Sequence, residues 1–288
     1  MKQRETWWNT ATAAIAVLTV CIAAECFPAW HGRSMPYRVR ERIVWSEAAG
    51  HGVLRGSFRM PIDESGEVQV FYAIPLGGDR RPEPGAANMV FYLPRYGEWG
   101  DTVYDDRPAW RKYVETDGGS FCSFRILRAP EHYPDRAALS RCVAKIRLWL
   151  TERHRLPAHG RCYLIGSGVG SEAVVTLCRE HGDWVRAACV VRRPEESAPG
   201  WGQLRGTAID FLVIRQRPRG TTGWRAPEGS GVVLMETEEE LLFAPVDELV
   251  YTFWQWARDR DQAAAEAFHH AEANFRRRER ARGKFAPR

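Results

Sequence analysis

The fold of this 288-residue chain is decided by the stretch Arg161-Cys162-Tyr163-Leu164-Ile165-Gly166-Ser167-Gly168-Val169-Gly170-Ser171-Glu172. It begins as a short apolar strand, passes through a glycine-rich turn and continues as a helix to about His181. A long amphipathic helix is predicted before it, over residues 136–154, and a second apolar strand after it, over residues 187–191. A strand, a tight turn and a helix between apolar strands indicate a parallel sheet with crossover helices.

The same alternation of strand and helix extends through most of the chain. Continuous apolar runs predict further buried strands at residues 88–93, 122–127, 208–214 and 231–235, and a helix is predicted at residues 245–260. Before residue 88, alternating polar and apolar residues predict antiparallel strands at residues 37–46, 54–60 and 68–74. The predicted fold class is therefore α/β, with a mainly parallel sheet, helices on both faces and an antiparallel N-terminal edge.

The first residues form a separate unit in the sequence. A basic start is followed by an apolar run over residues 11–24, which is typical of a signal peptide and short for a membrane-spanning helix. Residues 1–24 are predicted to be a signal peptide, which places the protein outside the cell or in the periplasm; an uncleaved membrane anchor and a buried helix are the alternatives. The remaining organisation is a linker at residues 25–36, one domain at residues 37–260 and a basic tail, helical or disordered, at residues 261–288. The basic run in this tail is expected to be a solvated terminus.

Charge and cysteine content exclude several classes of function. The net charge is +5, but 41 basic and 36 acidic residues are interspersed and most of the excess lies in the last dozen residues. A nearly neutral body does not favour nucleic-acid binding. The seven cysteines contain no C-x-x-C pair, so no metal site and no cofactor is predicted. A disulfide between Cys162 and Cys189 stays open for an exported protein.

The order of these parts resembles the α/β-hydrolase superfamily, particularly secreted esterases of the feruloyl-esterase, polyhydroxybutyrate-depolymerase and dienelactone-hydrolase kind. The resemblance covers residues 65–260 and rests on the strand and loop at 88–100, the helix and strand within 148–166, and the glycine turn. In that superfamily the turn reads G-x-S-x-G and its serine is the nucleophile. In this chain Gly168 stands at the serine position, so the resemblance implies the turn without its hydroxyl group.

The resemblance also implies positions for the other catalytic groups. A serine-type hydrolase needs a carboxylate and a histidine after two later strands. No carboxylate directly follows the strand at 208–214, and the loop directly after the strand at 231–235 contains no histidine. His269 and His270 lie in the tail, where exposure is expected. Ser167 and Ser171 are the remaining candidate nucleophiles, although neither occupies the apex of the turn.

A ligand pocket is predicted at the carboxyl ends of the parallel strands, where α/β folds place their sites. The resemblance implies backbone N–H donors for an oxyanion at Tyr96, Gly97 and Val169, whereas Pro94 has no N–H to offer. The side chains of Arg95, Trp99, Arg215 and Arg217, together with Tyr96, are candidates for the rim. Such a rim suits a small anionic or sugar-like ligand or a protein partner; ordinary loop packing is the alternative.

Three hypotheses for the function follow. The first is a secreted pseudoenzyme that acts in ligand or partner binding. The second is an active serine-type carboxylic-ester hydrolase with an unrecognised triad. The third is an NADP-binding oxidoreductase, because the run from Gly166 to Ser171 is superficially similar to G-x-G-x-x-G and Arg192-Arg193 follows the next strand. Residues 11–24 add a possible membrane tether.

Overall fold

A computed structural model describes most of the chain after residue 35. The described ranges are 36–47, 50–63, 66–93, 100–127, 136–157, 160–168, 170–192, 209–217, 232–237, 243–259 and 262–285. The chain divides into two compact units, Met1–Pro36 and Tyr37–Arg288, and the strands and helices of the described ranges all belong to the second. The predicted signal segment lies outside the described residues. Within the described ranges, no helix combines the length and the apolar character that spanning a membrane requires.

The second unit is built on a single sheet, which has nine strands in the described part of the chain. The strands are β1 (Tyr37–Ser46), β2 (His51–Asp63), β3 (Gly66–Leu76), β4 (Met89–Leu93), β5 (Ser120–Ile126), β6 (Cys162–Ser167), β7 (Val185–Arg192), β8 (Asp210–Gln216) and β9 (Val232–Thr237). Their order across the sheet is β1-β2-β3-β5-β4-β6-β7-β8-β9. Strands β1, β2, β3 and β5 pair antiparallel, and all pairs from β5 to β9 are parallel. This confirms the predicted parallel sheet with an antiparallel N-terminal edge.

Helices cover both faces of the sheet, as the sequence predicts. They are α1 (Gly100–Asp106), α2 (Pro108–Glu115), α3 (Arg136–His154), α4 (Gly170–Glu180), α5 (Phe243–Asp259) and α6 (Gln262–Phe285). Apolar side chains of α3 and α4 pack with one face of the sheet in one hydrophobic core. Those of α1, α2, α5 and α6 pack with the other face in a second core. Each face of the parallel part of the sheet is thereby covered by its own layer of helices, whereas much of β1 is exposed.

Two short helices, α1 and α2, occupy a region for which the sequence analysis predicts no regular structure. Pro108 stands in the first turn of α2, a position that proline favours. Trp110, Tyr113 and Val114 follow at helical spacing, and all three are buried. In the sequence, the proline and the spacing of these three residues indicate helix α2, but the surrounding charged residues obscure the pattern.

The tail helix α6 belongs to the folded unit. Phe268 is 3% exposed and Phe275 is 4% exposed, and both pack in the same core as α5. The Trp256 and Phe268 rings stack with 5.8 Å between their centroids. The helix that the sequence predicts as a solvated terminus therefore buries one apolar stripe, and its exposed face carries the basic residues.

The described cysteines form no disulfide bonds. Cys122, Cys142, Cys162, Cys178 and Cys189 are all buried and none forms a disulfide. Cys162 pairs in register with Val185, whereas Cys189 pairs with Ile165. The two thiols of the disulfide left open by the sequence are thus not opposite each other on β6 and β7, and that disulfide is absent.

Candidate active-site edge

The turn between β6 and α4 has the backbone expected of a sharp strand-to-helix connection. β6 ends at Ser167 and α4 begins at Gly170. Gly168, at the apex, has φ of +58°, a conformation that side chains other than glycine adopt only with strain. The backbone N–H of Ser171 donates to the Gly168 carbonyl at 2.9 Å and closes the turn. The apex thus has its special conformation but lacks a side chain.

The two outer glycines are required because backbone atoms approach them closely. A Cβ atom on Gly166 would lie 2.6 Å from the carbonyl oxygen of Gly170. A Cβ atom on Gly170 would lie 2.4 Å from the carbonyl oxygen of Leu93, the last residue of β4. These backbone oxygens cannot move aside as the end of a flexible side chain can. The glycines therefore let α4 start directly against the ends of β4 and β6.

The two serines beside the apex differ in what their hydroxyl groups do. Ser171 is fully buried, and its Oγ donates to the carbonyls of Gly166 at 3.2 Å and Val191 at 3.4 Å, sharing one proton between them. Ser167 is half-buried at the end of β6 and pairs in register with Val191. The Ser171 hydroxyl therefore ties the helix to two strands. Ser167 lies one residue before the apex, on the strand itself.

A buried ion pair occupies the space next to the turn. Arg192, at the end of β7, is 2% exposed, and its Nη1 and Nη2 atoms each donate to Glu172 Oε1 at 2.8 Å. Glu172 lies in the first turn of α4, where a negative charge is also favoured by the helix dipole. Arg136 approaches the second oxygen of Glu172 at 3.5 Å. The Arg192 guanidinium is thus held by a carboxylate of the protein itself.

The ends of β8 and β9 carry a second pair. Arg215 is 7% exposed, lies opposite Glu236 in the register of the two strands, and donates from Nη1 to Glu236 Oε1 at 3.1 Å. The half-buried Arg217 follows, and its backbone N–H donates to the Thr237 carbonyl. Of the two predicted rim arginines that the structure describes, Arg215 is therefore a buried, paired residue, and Arg217 is more accessible.

A third buried group, which the sequence analysis does not identify, connects β4 with two helices. Arg107 precedes α2, is 8% exposed, and donates to the Tyr92 hydroxyl at 2.8 Å. Its Nη1 atom also lies 3.5 Å from Oδ1 of Asp247 on α5, which is 5% exposed. The sequence separates these residues widely, so only the packing of α2 and α5 with β4 residues in the shared core of this face brings them together.

The described residues do not form a hydrolase triad of nucleophile, histidine and carboxylate. Arg215, Gln216 and Arg217 stand where the resemblance implies a carboxylate after β8. The exposed His269 and His270 lie on α6, where His269 is 3.5 Å from Glu272. Burial raises the pKa of the Cys189 thiol, the nearby Asp247 adding to it, which disfavours a thiolate nucleophile. Three or more potential metal ligands do not cluster anywhere in the described ranges.

Several candidates from the sequence lie outside the described residues. They are the possible oxyanion donors Tyr96, Gly97 and Val169 and the rim residues Arg95 and Trp99. Their roles stay predictions. The described residues bring Gly168, Ser167 and Ser171 together at the turn, and Arg215 and Arg217 at the end of β8.

Comparison with known proteins gives structural neighbours only. No protein-family model matches this sequence, and no curated protein sequence matches it. The S-formylglutathione hydrolase of Agrobacterium tumefaciens matches with a TM-score of 0.52 and 11% identity, over 76% of this chain and 99% of that one. An α/β-hydrolase-fold protein of unknown function matches with a TM-score of 0.48 and 11% identity, over 81% and 100% of the two chains. Est1E from Butyrivibrio proteoclasticus matches with a TM-score of 0.45 and 8% identity, over 69% and 98%.

These identities are too low to transfer an activity, but the first match and the strand order agree about the architecture. The sheet is mainly parallel, and a tight turn lined by glycines connects β6 to α4. This is the arrangement that carries the nucleophile in the hydrolases of this fold. The chain therefore has the α/β-hydrolase fold.

Proposed function

We propose that this protein is a non-catalytic α/β-hydrolase-fold protein that acts by binding a ligand or partner at the carboxyl edge of its sheet. The observation that carries the proposal is Gly168 at the apex of the turn with φ of +58°. A serine at this place would present its hydroxyl group to an acyl carbon. Glycine keeps the turn and removes the only group that could form the acyl-enzyme there.

The neighbouring serine does not supply a substitute nucleophile. The Ser171 hydroxyl is buried and donates to backbone carbonyls, so attack on a substrate would require those hydrogen bonds and the packing of α4 to be broken. A nucleophilic serine also needs a histidine within hydrogen-bond reach. The chain has no histidine between His181 and His269. These observations support the loss of ester hydrolysis.

The ion pairs of the arginines at the carboxyl edge of the sheet indicate which kind of ligand can bind there. Arg107, Arg192 and Arg215 each face a carboxylate of the protein at 3.5 Å or less. An anionic ligand would have to compete with those carboxylates, whereas a neutral sugar-like ligand or a protein partner would not. The pairing of these arginines therefore favours a neutral sugar-like ligand or a protein partner at this edge.

Hydrolysis of short-chain p-nitrophenyl esters by the full-length protein tests the proposal. We expect a rate equal to that of buffer, and no labelling by a fluorophosphonate probe, which reacts with activated serines. The Gly168→Ser substitution alone is expected to produce neither ester turnover nor labelling, because it supplies a hydroxyl group without a general base. Ester turnover by the unmodified protein that the probe abolishes would overturn the proposal.

An active hydrolase is the second candidate, and the fold of the S-formylglutathione hydrolase is the observation in its favour. It would need Ser167 as nucleophile and a histidine from outside the described residues. His132 is a candidate, because it follows β5, which ends at the same edge as β6. Loss of a measured turnover in both Ser167→Ala and His132→Ala, with Ser171→Ala as the comparison, would establish this alternative.

A further inference from the structure

The antiparallel extension of the sheet carries an accumulation of arginines on one face. In register, Arg42 lies opposite Arg55, and Arg40 lies opposite Ser57. Arg59 lies opposite Gln69, which in turn lies opposite Arg125 on β5. Residues opposite each other on paired strands point to the same face of a sheet. We name this surface the cationic face; it consists of Arg40, Arg42, Arg55, Arg59 and Arg125.

A concave surface lies on this face. A cavity of about 370 Å³ is lined by four of these arginines together with Ser57, Gln69, Phe71 and two acidic residues of α1, Asp101 and Asp105. A smaller cavity of about 130 Å³ adjoins it, since Arg40, Ser57 and Gln69 line both. Arg38 and Arg59 line the smaller one. The larger volume is in the range of small-molecule sites.

The positive charge of this surface is only partly compensated. Arg55 is held by Asp105 on α1 at 2.6 Å and lies between the rings of Phe71 and Tyr104. The Glu41 side chain belongs to the opposite face, since Glu41 lies between Arg40 and Arg42 on the strand, and its carboxylate is bound there by Arg153 at 2.8 Å and by the Tyr72 hydroxyl. Within the described residues no carboxylate forms an ion pair with Arg40, Arg42 or Arg59. Like charges facing each other across paired strands are unfavourable, and an anion would relieve that repulsion.

We propose that the cationic face is a binding site for a small organic molecule that carries a phosphate group. Several convergent arginines match a doubly charged phosphate better than a single carboxylate, because each guanidinium can donate two parallel hydrogen bonds to its oxygens. Ser57 and Gln69 add neutral donors at the floor of the cavity, and Phe71 offers an apolar wall for the organic part.

This site is distinct from the carboxyl-edge site of the proposed function. Strand β2 is four positions away from β6 in the sheet, which at the usual strand spacing is about 19 Å. The sequence predicts a rim at Arg95, Arg215 and Arg217 that suits a small anionic or sugar-like ligand or a protein partner. The structure shows Arg215 paired there with Glu236 and the uncompensated arginines on β1 and β2 instead.

Binding of inorganic pyrophosphate to the full-length protein, measured by calorimetry at about 150 mM salt, which is physiological ionic strength, tests the proposal. The double variant Arg40→Gln/Arg42→Gln removes two exposed guanidinium groups from the edge strand without breaking an ion pair. The matched control Arg141→Gln/Arg277→Gln makes the same charge change on the exposed faces of α3 and α6. We expect saturable binding at one site, weakened at least tenfold in the first double variant and less than twofold in the control.

Two outcomes would overturn the proposal. One is the absence of saturable pyrophosphate binding, or an equal loss in both double variants, which would indicate only a response to net charge. The other is binding to phosphatidylglycerol vesicles without binding to pyrophosphate, which would identify a membrane-surface patch. Because the ester assay does not depend on this face, failure of pyrophosphate binding leaves the proposed function intact.

Discussion

At the scale of single residues, the three glycines of the turn have different physical roles. Gly166 and Gly170 are needed because there is no space for a Cβ atom, and Gly168 is needed because of its positive φ. An active hydrolase places a serine at the position of Gly168 and carries the backbone strain of a side chain at positive φ. In this chain Gly168 adopts its positive φ without that strain, because it has no Cβ atom.

The first prediction concerns that strain at Gly168. Gly168→Ala should lower the free energy of unfolding by about 1–2 kcal/mol, since a side chain other than glycine is disfavoured at positive φ. Gly168→Asn should cost less, because asparagine tolerates this conformation better. Urea titration measures both differences. Equal stability of the alanine variant and the unmodified protein would show that φ at this residue is not constrained.

The second prediction concerns space rather than dihedral angle. Gly170→Ala would place a Cβ atom 2.4 Å from the Leu93 carbonyl oxygen, and we expect a loss of about 2–3 kcal/mol from the displacement of α4. Gly78→Ala is the control, because no atom lies within 4 Å of its Cβ position. Thermal and urea unfolding of the two variants should differ clearly. A Gly170→Ala protein as stable as the control would contradict the close approach.

The residue scale also shows how far the sequence could predict the site. The glycine spacing predicts the turn, because the positive φ of Gly168 and the close approach of the Gly170 carbonyl to Gly166 arise within the turn itself. The pairing of Arg107 with Tyr92 and Asp247 has no local signal, since the three residues come from different elements. Residues 94–99 contain most of the predicted pocket and lie outside the described residues, so that part stays a prediction.

At the scale of elements, the sequence predicts the buried strands but not the arrangement of side chains across them. Continuous apolar runs identify β4, β6, β7 and β8, because strands buried on both faces have no polar alternation. The cationic face has no such signal because it depends on register: Arg42 meets Arg55 only for one alignment of β1 with β2. A shift of one residue would turn either arginine to the other face.

The third prediction is that α6 stabilises the domain. Phe275→Ala should lower the free energy of unfolding by about 3 kcal/mol, because the ring is 4% exposed and packs in the core with α5. His270→Ala, on the exposed face of the same helix, should change it by less than about 0.5 kcal/mol. Chemical denaturation compares them. Equal, small effects would indicate that the helix is a solvated tail, as the sequence alone predicts.

At the scale of the whole molecule, charged groups connect the N-terminal extension to the parallel half of the sheet. Glu41 on β1 accepts hydrogen bonds from Arg153 on α3 and from Tyr72 on β3, and His154 Nε2 lies 3.6 Å from it. The Arg153 hydrogen bonds lower the pKa of Glu41 to about 2. Burial against Tyr72 and Trp149 lowers the pKa of His154 to about 4, despite the attraction of Glu41.

The last prediction is that this network makes the domain sensitive to acid in two steps. Between about pH 6.5 and 4 the unfolded chain binds a proton at His154 that the folded chain refuses, so stability falls as the pH falls. Between about pH 4.5 and 2 the same argument applies to Glu41, because the folded chain keeps this carboxylate charged to a lower pH than the unfolded chain does. His154→Gln should therefore remove about 1–3 kcal/mol of the loss between pH 6.5 and 4.

Urea titration at intervals from about pH 7 to about pH 3 measures both steps. The loss below about pH 4.5 serves as the internal control, because it includes the Glu41 contribution and should persist in the His154→Gln variant. If the variant and the unmodified protein lose stability in parallel between about pH 6.5 and 4, His154 is not held neutral, and the contact between β1 and α3 is looser than the structure shows. If stability falls between about pH 6.5 and 4 in the unmodified protein but stays level in the variant, the neutral His154 side chain is the source of this acid sensitivity.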